Sequence, residues 1–152
     1  MTMTVVPLKP HLAKFVQTIY GIPAVIPYSD QLYYDFMQCL TKQYYPPPVI
    51  DGLIPVKFEI PSRHVERIGH TFLPDQVTFF NQRLIKRFGH DCFSFICYLT
   101  SEKGLSRRAA IYKLLERFDL YEEFSYHTLK NMFTNTANEI EQLFPDSFLV
   151  QK

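Results

Sequence analysis

The chain has no tryptophan, only five glycines in 152 residues, and three cysteines, Cys39, Cys92 and Cys97. There is no glycine-rich phosphate loop and no Gly-x-Ser-x-Gly elbow, and His-Glu-x-x-His and Cys-x-x-Cys are also missing. These gaps exclude the motif-bearing enzyme classes. Only a catalytic site built from dispersed residues escapes them, and the chain is read as not an enzyme. An odd number of cysteines favours reduced, buried thiols over a disulfide framework. The longest apolar run, around Cys92 to Leu99, contains a serine and falls far short of the roughly 20 residues that span a bilayer, so no membrane span is expected. The start, Met1 to Pro7, has neither a basic nor a long apolar region of the kind that directs export. A cytoplasmic location is expected.

Fourteen Phe and ten Tyr supply enough apolar and aromatic surface to offset the entropy of ordering a chain of this length. The charge is unevenly spread. Residues 83–117 carry eight cations (Arg83, Lys86, Arg87, Lys103, Arg107, Arg108, Lys113, Arg117) against three carboxylates. Residues 118–150 carry Lys130 against six, among them Glu122, Glu123, Glu139, Glu141 and Asp146. The basic block suits phosphate; the acidic block suits it only if its carboxylates turn away from the contact surface.

Leu8, Leu12, Phe15, Val16 and Ile19 recur at helical spacing behind Pro10, which a first helical turn tolerates, and Gly21 with Pro23 marks the stop. Ser29 is placed to cap a second helix that buries Leu32, Tyr33, Phe36 and Leu40 and ends at Pro46-Pro47-Pro48. Val56 to Ile60 alternates as a half-buried strand does, and residues 24–27 are its candidate partner. Val77, Phe80, Leu84 and Phe88 form a helical stripe closed by Gly89, after which Asp91 caps a short apolar helix over Cys92 to Leu99. Ser106 caps a helix burying Ala110, Ile111, Leu114, Leu115 and Phe118. Ser125 caps a last helix with apolar positions Tyr126, Leu129, Phe133, Ala137, Ile140 and Phe144, stopped by Pro145. The expected fold is α+β and mainly α: one compact domain, 1–152, with helices and a small two-stranded β element in 1–73 and a helical, helix-turn-helix-like part in 74–152.

Two amphipathic helices joined by Phe118 to Phe124 are the skeleton of a helix-turn-helix. In that reading His127, Thr128, Lys130, Asn131, Thr134 and Asn135 face base edges, since Asn pairs with adenine and Lys with guanine. Arg107, Arg108, Lys113 and Arg117 hold phosphates, extended by Arg83, Lys86 and Arg87. The connector is longer than the usual three- or four-residue turn. His90, Cys92 and Cys97 are weighed as metal ligands and set aside, because one helix cannot aim all three inward and no second ligand pair exists. His64 and His70, flanking Glu66, read as a surface loop. No cofactor or metal is expected.

Leu8 to Phe15, Val56 to Pro61, Arg108 to Phe118 and Ser125 to Lys130, in that order, resemble a group of small uncharacterised proteins of phage-like and conjugative mobile elements of gut bacteria. The resemblance implies a mobile-element setting and a helical C-terminal half that looks like a DNA-binding unit. The expected function is therefore a non-enzymatic DNA-binding accessory or regulatory protein with duplex DNA as partner and no membrane contact. The competing expectation is a protein-interaction or structural module, forming a homo-oligomer or taking a protein partner through Tyr33, Tyr44, Tyr45 and Tyr121.

Overall fold

The computed structural model describes residues 2–143. The chain is α+β and mainly helical, with six α-helices and two small antiparallel sheets among the described residues. Its internal packing separates two units, Met1–Ile85 and Lys86–Lys152, and the division falls inside a helix where the sequence shows no linker.

The first unit begins with a strand, β1 (Thr2–Leu8), that pairs antiparallel along its whole length with β3 (Ile54–Ile60), from Thr2 opposite Ile60 to Leu8 opposite Ile54. Pro7 and Pro55 face each other in this ladder. Antiparallel pairs alternate between positions that exchange hydrogen bonds and positions that do not, and two residues without N–H groups fit only the second kind. The expected partner of β3, residues 24–27, is thus corrected. Pro23 and Pro27 bracket that stretch, and only Ala24 reaches β3, through Ala24 N–H to Lys57 O (2.9 Å) and Glu59 N–H to Ala24 O (2.9 Å).

Helix α1 (Pro10–Tyr20) starts on its proline and buries Leu12, Ala13, Phe15 and Val16; Leu8 belongs to β1 instead, and Ile19 is exposed. Helix α2 (Gln31–Met37) is capped by Asp30, whose carboxylate accepts from Leu32 N–H (2.9 Å), rather than by Ser29. It ends well before the prolines, because Leu40 and Thr41 leave to form β2, paired with β4 (Thr71–Phe72). Between β3 and β4 a short helix, α3 (Ser62–Ile68), stands where the sequence suggested a loop. It buries no residue, so it leaves no apolar periodicity to read. Gly69 ends it at φ +124°, and a Cβ there would run into the Thr41 backbone.

The core of this unit is aromatic. Phe36 stacks on Phe58 (5.1 Å between centroids), and Phe80 packs against Phe36, Phe58 and Phe72 at 5.4–5.8 Å. Asn81, 5% exposed, holds the chain start to α4 (Val77–Ser101): its amide donates to Pro7 O (3.0 Å) and Val77 O (2.9 Å), and its oxygen accepts from Lys9 N–H (3.1 Å). Every polar atom of that buried amide group serves the backbone around it.

The second unit takes the rest of α4, then α5 (Arg107–Phe118) and α6 (Tyr126–Leu143). Gly89 does not end a helix, and Asp91 does not cap one: α4 runs through both as a single element. A mid-helix glycine costs only about 1 kcal/mol, and the apolar stripe continues through Phe88, Cys92 and Ile96 without a break in phase. Ser106 caps α5 by accepting from Ala109 N–H (3.1 Å), and Ser125 caps α6 by accepting from Thr128 N–H (3.2 Å). Ala110, Ile111, Leu114, Leu115, Phe118, Leu120 and Leu129 form a mainly aliphatic core with Phe88, Cys92, Phe93 and Ile96. Phe144 and Pro145, the expected end of α6, lie outside the described residues. No helix among the described residues is long and apolar enough to cross a membrane.

Candidate nucleic-acid interface

The first turn of α5 carries Arg107 and Arg108 and no acidic residue. A helix N-terminus is the positive end of the helix dipole, where cations cost rather than contribute, typically by about 0.3–1 kcal/mol each. Ser106 caps the backbone there, yet the two arginines concentrate further positive charge at the same place.

Both guanidinium groups lie on rings of α6. Arg107 sits over Phe133 at 4.8 Å, and Arg108 over Tyr126 at 5.2 Å and over Tyr112 of its own helix at 5.6 Å. Tyr112 and Tyr126 stack nearly parallel, 14° apart with centroids at 5.3 Å, which fixes the bed on which Arg108 rests. Tyr126 and Phe133 are seven residues apart, about two helical turns, so they share one side of α6. Lys130, exposed, stands between them at the i+4 position of the same row. Arg108, Lys130 and Arg107 therefore form a line of three cations along one side of α6.

Each member of that row is followed by a residue one position on, about 100° around the helix. These are His127, Asn131 and Thr134, continued by Asn138 at the same spacing, with Asn135 beside them. His127, Asn131, Asn135 and Asn138 are exposed, and Thr134 is half-buried. Residues 126–138 hold no carboxylate, because Glu139 and Glu141 come only after this polar stripe. The arrangement offers a cationic edge beside an uncharged face of amides and a hydroxyl.

Not all of the basic block joins it. Arg117, at the far end of α5, covers Phe95 at 5.1 Å and Phe118 at 5.4 Å. Arg87 bonds Asp91 at 3.1 Å, and Lys86 and Lys113 are exposed elsewhere on α4 and α5. Arg83 belongs to the first unit, where it lies 4.0 Å from Asp35 and over Phe79 at 5.0 Å. Thr128 is engaged in the Ser125 cap, their hydroxyls 3.0 Å apart. Sequence reasoning does not find Tyr112, Tyr126 and Phe133 as supports for arginine; Tyr126 and Phe133 read only as apolar positions of the helix. The spacing of seven between those two rings was the available signal. Asn138 was missed as the continuation of the stripe.

Other groups offer less. Tyr33 is buried, not an exposed anchor, and its hydroxyl and His64 Nδ1 are enclosed without a hydrogen-bond partner among the described residues. Burial, then Arg63 and Arg67, hold His64 below the usual imidazole value. A cavity lined by Gly89, Cys92, Phe93, Ile96, Leu114, Leu129, Met132 and Phe133 measures about 10 Å³, room for one water and no ligand. No three His, Cys, Asp or Glu side chains among the described residues are grouped so as to hold a metal ion. No family model, curated protein or solved structure matches this chain.

Proposed function

We propose that this protein is a non-enzymatic, DNA-binding accessory or regulatory protein of a mobile genetic element, acting in the cytoplasm on duplex DNA. The observation that carries the reading is the pair Arg107 and Arg108, placed at the positive end of α5 and laid on the rings of α6. The rings offset what the helix dipole costs at that position, by about 0.5–1 kcal/mol against about 0.3–1 kcal/mol, and the resulting concentration of positive charge favours a polyanion. Arg107, Arg108 and Lys130 neutralise phosphates while the amide and hydroxyl face of α6 lies toward a groove. Three free cysteines, Cys39 and Cys92 buried and Cys97 half-buried, fit a reducing compartment.

The test is fluorescence anisotropy with a random duplex at two salt concentrations. Expected is an affinity that falls steeply with salt, and a loss of about two from the logarithmic salt slope in R107E/R108E, one for each phosphate contact. Absence of binding at low salt by a folded protein defeats the reading.

A second reading, a protein-interaction module, is favoured by the loop between β2 and β3. There Val49 is 98% and Tyr44 69% exposed, while Tyr45 is half-buried. Tyr45, Pro46 and Pro47 each precede a proline, which disfavours helical backbone and suits a short polyproline II rod. Such a rod suits an aromatic-lined groove on a partner. Loss of partner capture on P46A/P47A/P48A, in a folded protein that binds no duplex, would support it.

A further inference from the structure

The polar stripe of α6 carries information about which base pairs it suits. Resting on the DNA-binding reading above, we infer that Asn131, Thr134 and Asn138 select A·T base pairs in the major groove. The three residues recur at i, i+3 and i+7 on the side of α6 next to the cationic row, with Asn131 and Asn138 exposed.

The chemistry of each group sets the preference. An Asn side chain presents one acceptor and two donors on a short arm, the complement of the N6 donor and N7 acceptor of adenine. Thr134 already gives its hydroxyl hydrogen to the Lys130 carbonyl (2.9 Å), so what it adds to a groove is an acceptor oxygen and its methyl group, the methyl being the partner of the thymine C5-methyl. Guanine is read most often by the forked donors of Arg, and α6 has no arginine. Its one cation, Lys130, stands about 100° off the stripe, in line with Arg107 and Arg108 where phosphates are held. His127 opens the stripe but is turned against Tyr126, its ring 5.5 Å away at 72°. The stripe has no carboxylate to accept from the cytosine N4 amine.

The experiment is anisotropy with two duplexes of equal length, one of mixed A·T pairs and one of mixed G·C pairs, at one salt concentration. Wild type, N131A/N138A and R107E/R108E are compared, with helicity checked by circular dichroism. The expected result is an A·T preference on the order of tenfold in wild type. It falls toward one in N131A/N138A with the salt slope unchanged, and persists in R107E/R108E while both affinities drop. Equal affinity for the two duplexes, or a preference that survives N131A/N138A through groove shape alone, overturns the inference and leaves DNA binding standing. Failure to bind either duplex removes the DNA-binding reading and the inference together.

Discussion

The two units differ in the balance of what their aromatic residues do. In the first, Phe36, Phe58, Phe72 and Phe80 pack ring against ring in the interior, and the polar groups nearby, Asn81 and Thr4, turn inward to serve the backbone. In the second, aliphatic residues outnumber the buried rings Phe88, Phe93 and Phe118, and half-buried Tyr126, Phe133 and Phe95, with exposed Tyr112, lie beneath guanidinium groups. Rings lie under guanidinium groups in both units, but only in the second do two rings of one helix carry two neighbouring arginines. On the DNA-binding proposal, the second unit is the one whose surface would meet a partner.

The comparison breaks most decisively at Phe80. F80A should destabilise by about 3–5 kcal/mol in urea denaturation, because it empties the centre of a ring cluster, while Y112A should cost about 1 kcal/mol or less and weaken DNA binding instead. Similar losses from both would erase the contrast. Next in size is N81A, which leaves the Lys9 N–H and the Pro7 carbonyl unpaired in the interior and should cost about 1–3 kcal/mol. Smaller and of opposite sign is G89A. Nothing lies within 4 Å of a Cβ at that position, so alanine gains helix propensity beside the small cavity, and stability should rise by about 0.5–1 kcal/mol in the same assay.

The smallest effect is read from the thiols. Burial, then Asp35 and Asp75, push Cys39 up to about 12, and burial, then Asp91, pushes Cys92 well above the usual thiol range. Both remain protonated and unreactive at neutral pH, so a thiol reagent should modify only half-buried Cys97 in the native protein and all three after denaturation. The corresponding stability is present below the unfolded thiol value and is lost as pH rises toward the folded one. Melting temperature should therefore fall above about pH 9, and less so in C92A.

Much of the second unit was legible in advance because its signals are local. Ser106 and Ser125 cap the helices the periodicity called for, and the buried side of α5 is the one expected. What escaped was non-local or unpatterned. Strand β1 becomes recognisable only beside β3, with Pro7 opposite Pro55, and α3 has no buried residue to set a period. Gly89 and Asp91 looked like a stop and a start because each is common there, but an unbroken apolar stripe outweighed both. In the candidate interface the residue types facing solvent on α6 were foreseen. The selection of Arg107 and Arg108 out of the basic block was not, since it depends on rings from a different helix.

Arginines bedded on rings differ from arginines waving in solvent in what they forfeit on association. An unrestrained long side chain gives up roughly 0.5–1.5 kcal/mol of rotamer freedom when a ligand immobilises it. Arg107 and Arg108 give up part of that freedom when the chain folds, in resting on their rings. A lysine at 108 keeps the charge but not the flat fit on Tyr126, so R108K should retain the salt slope of the wild type and still bind more weakly.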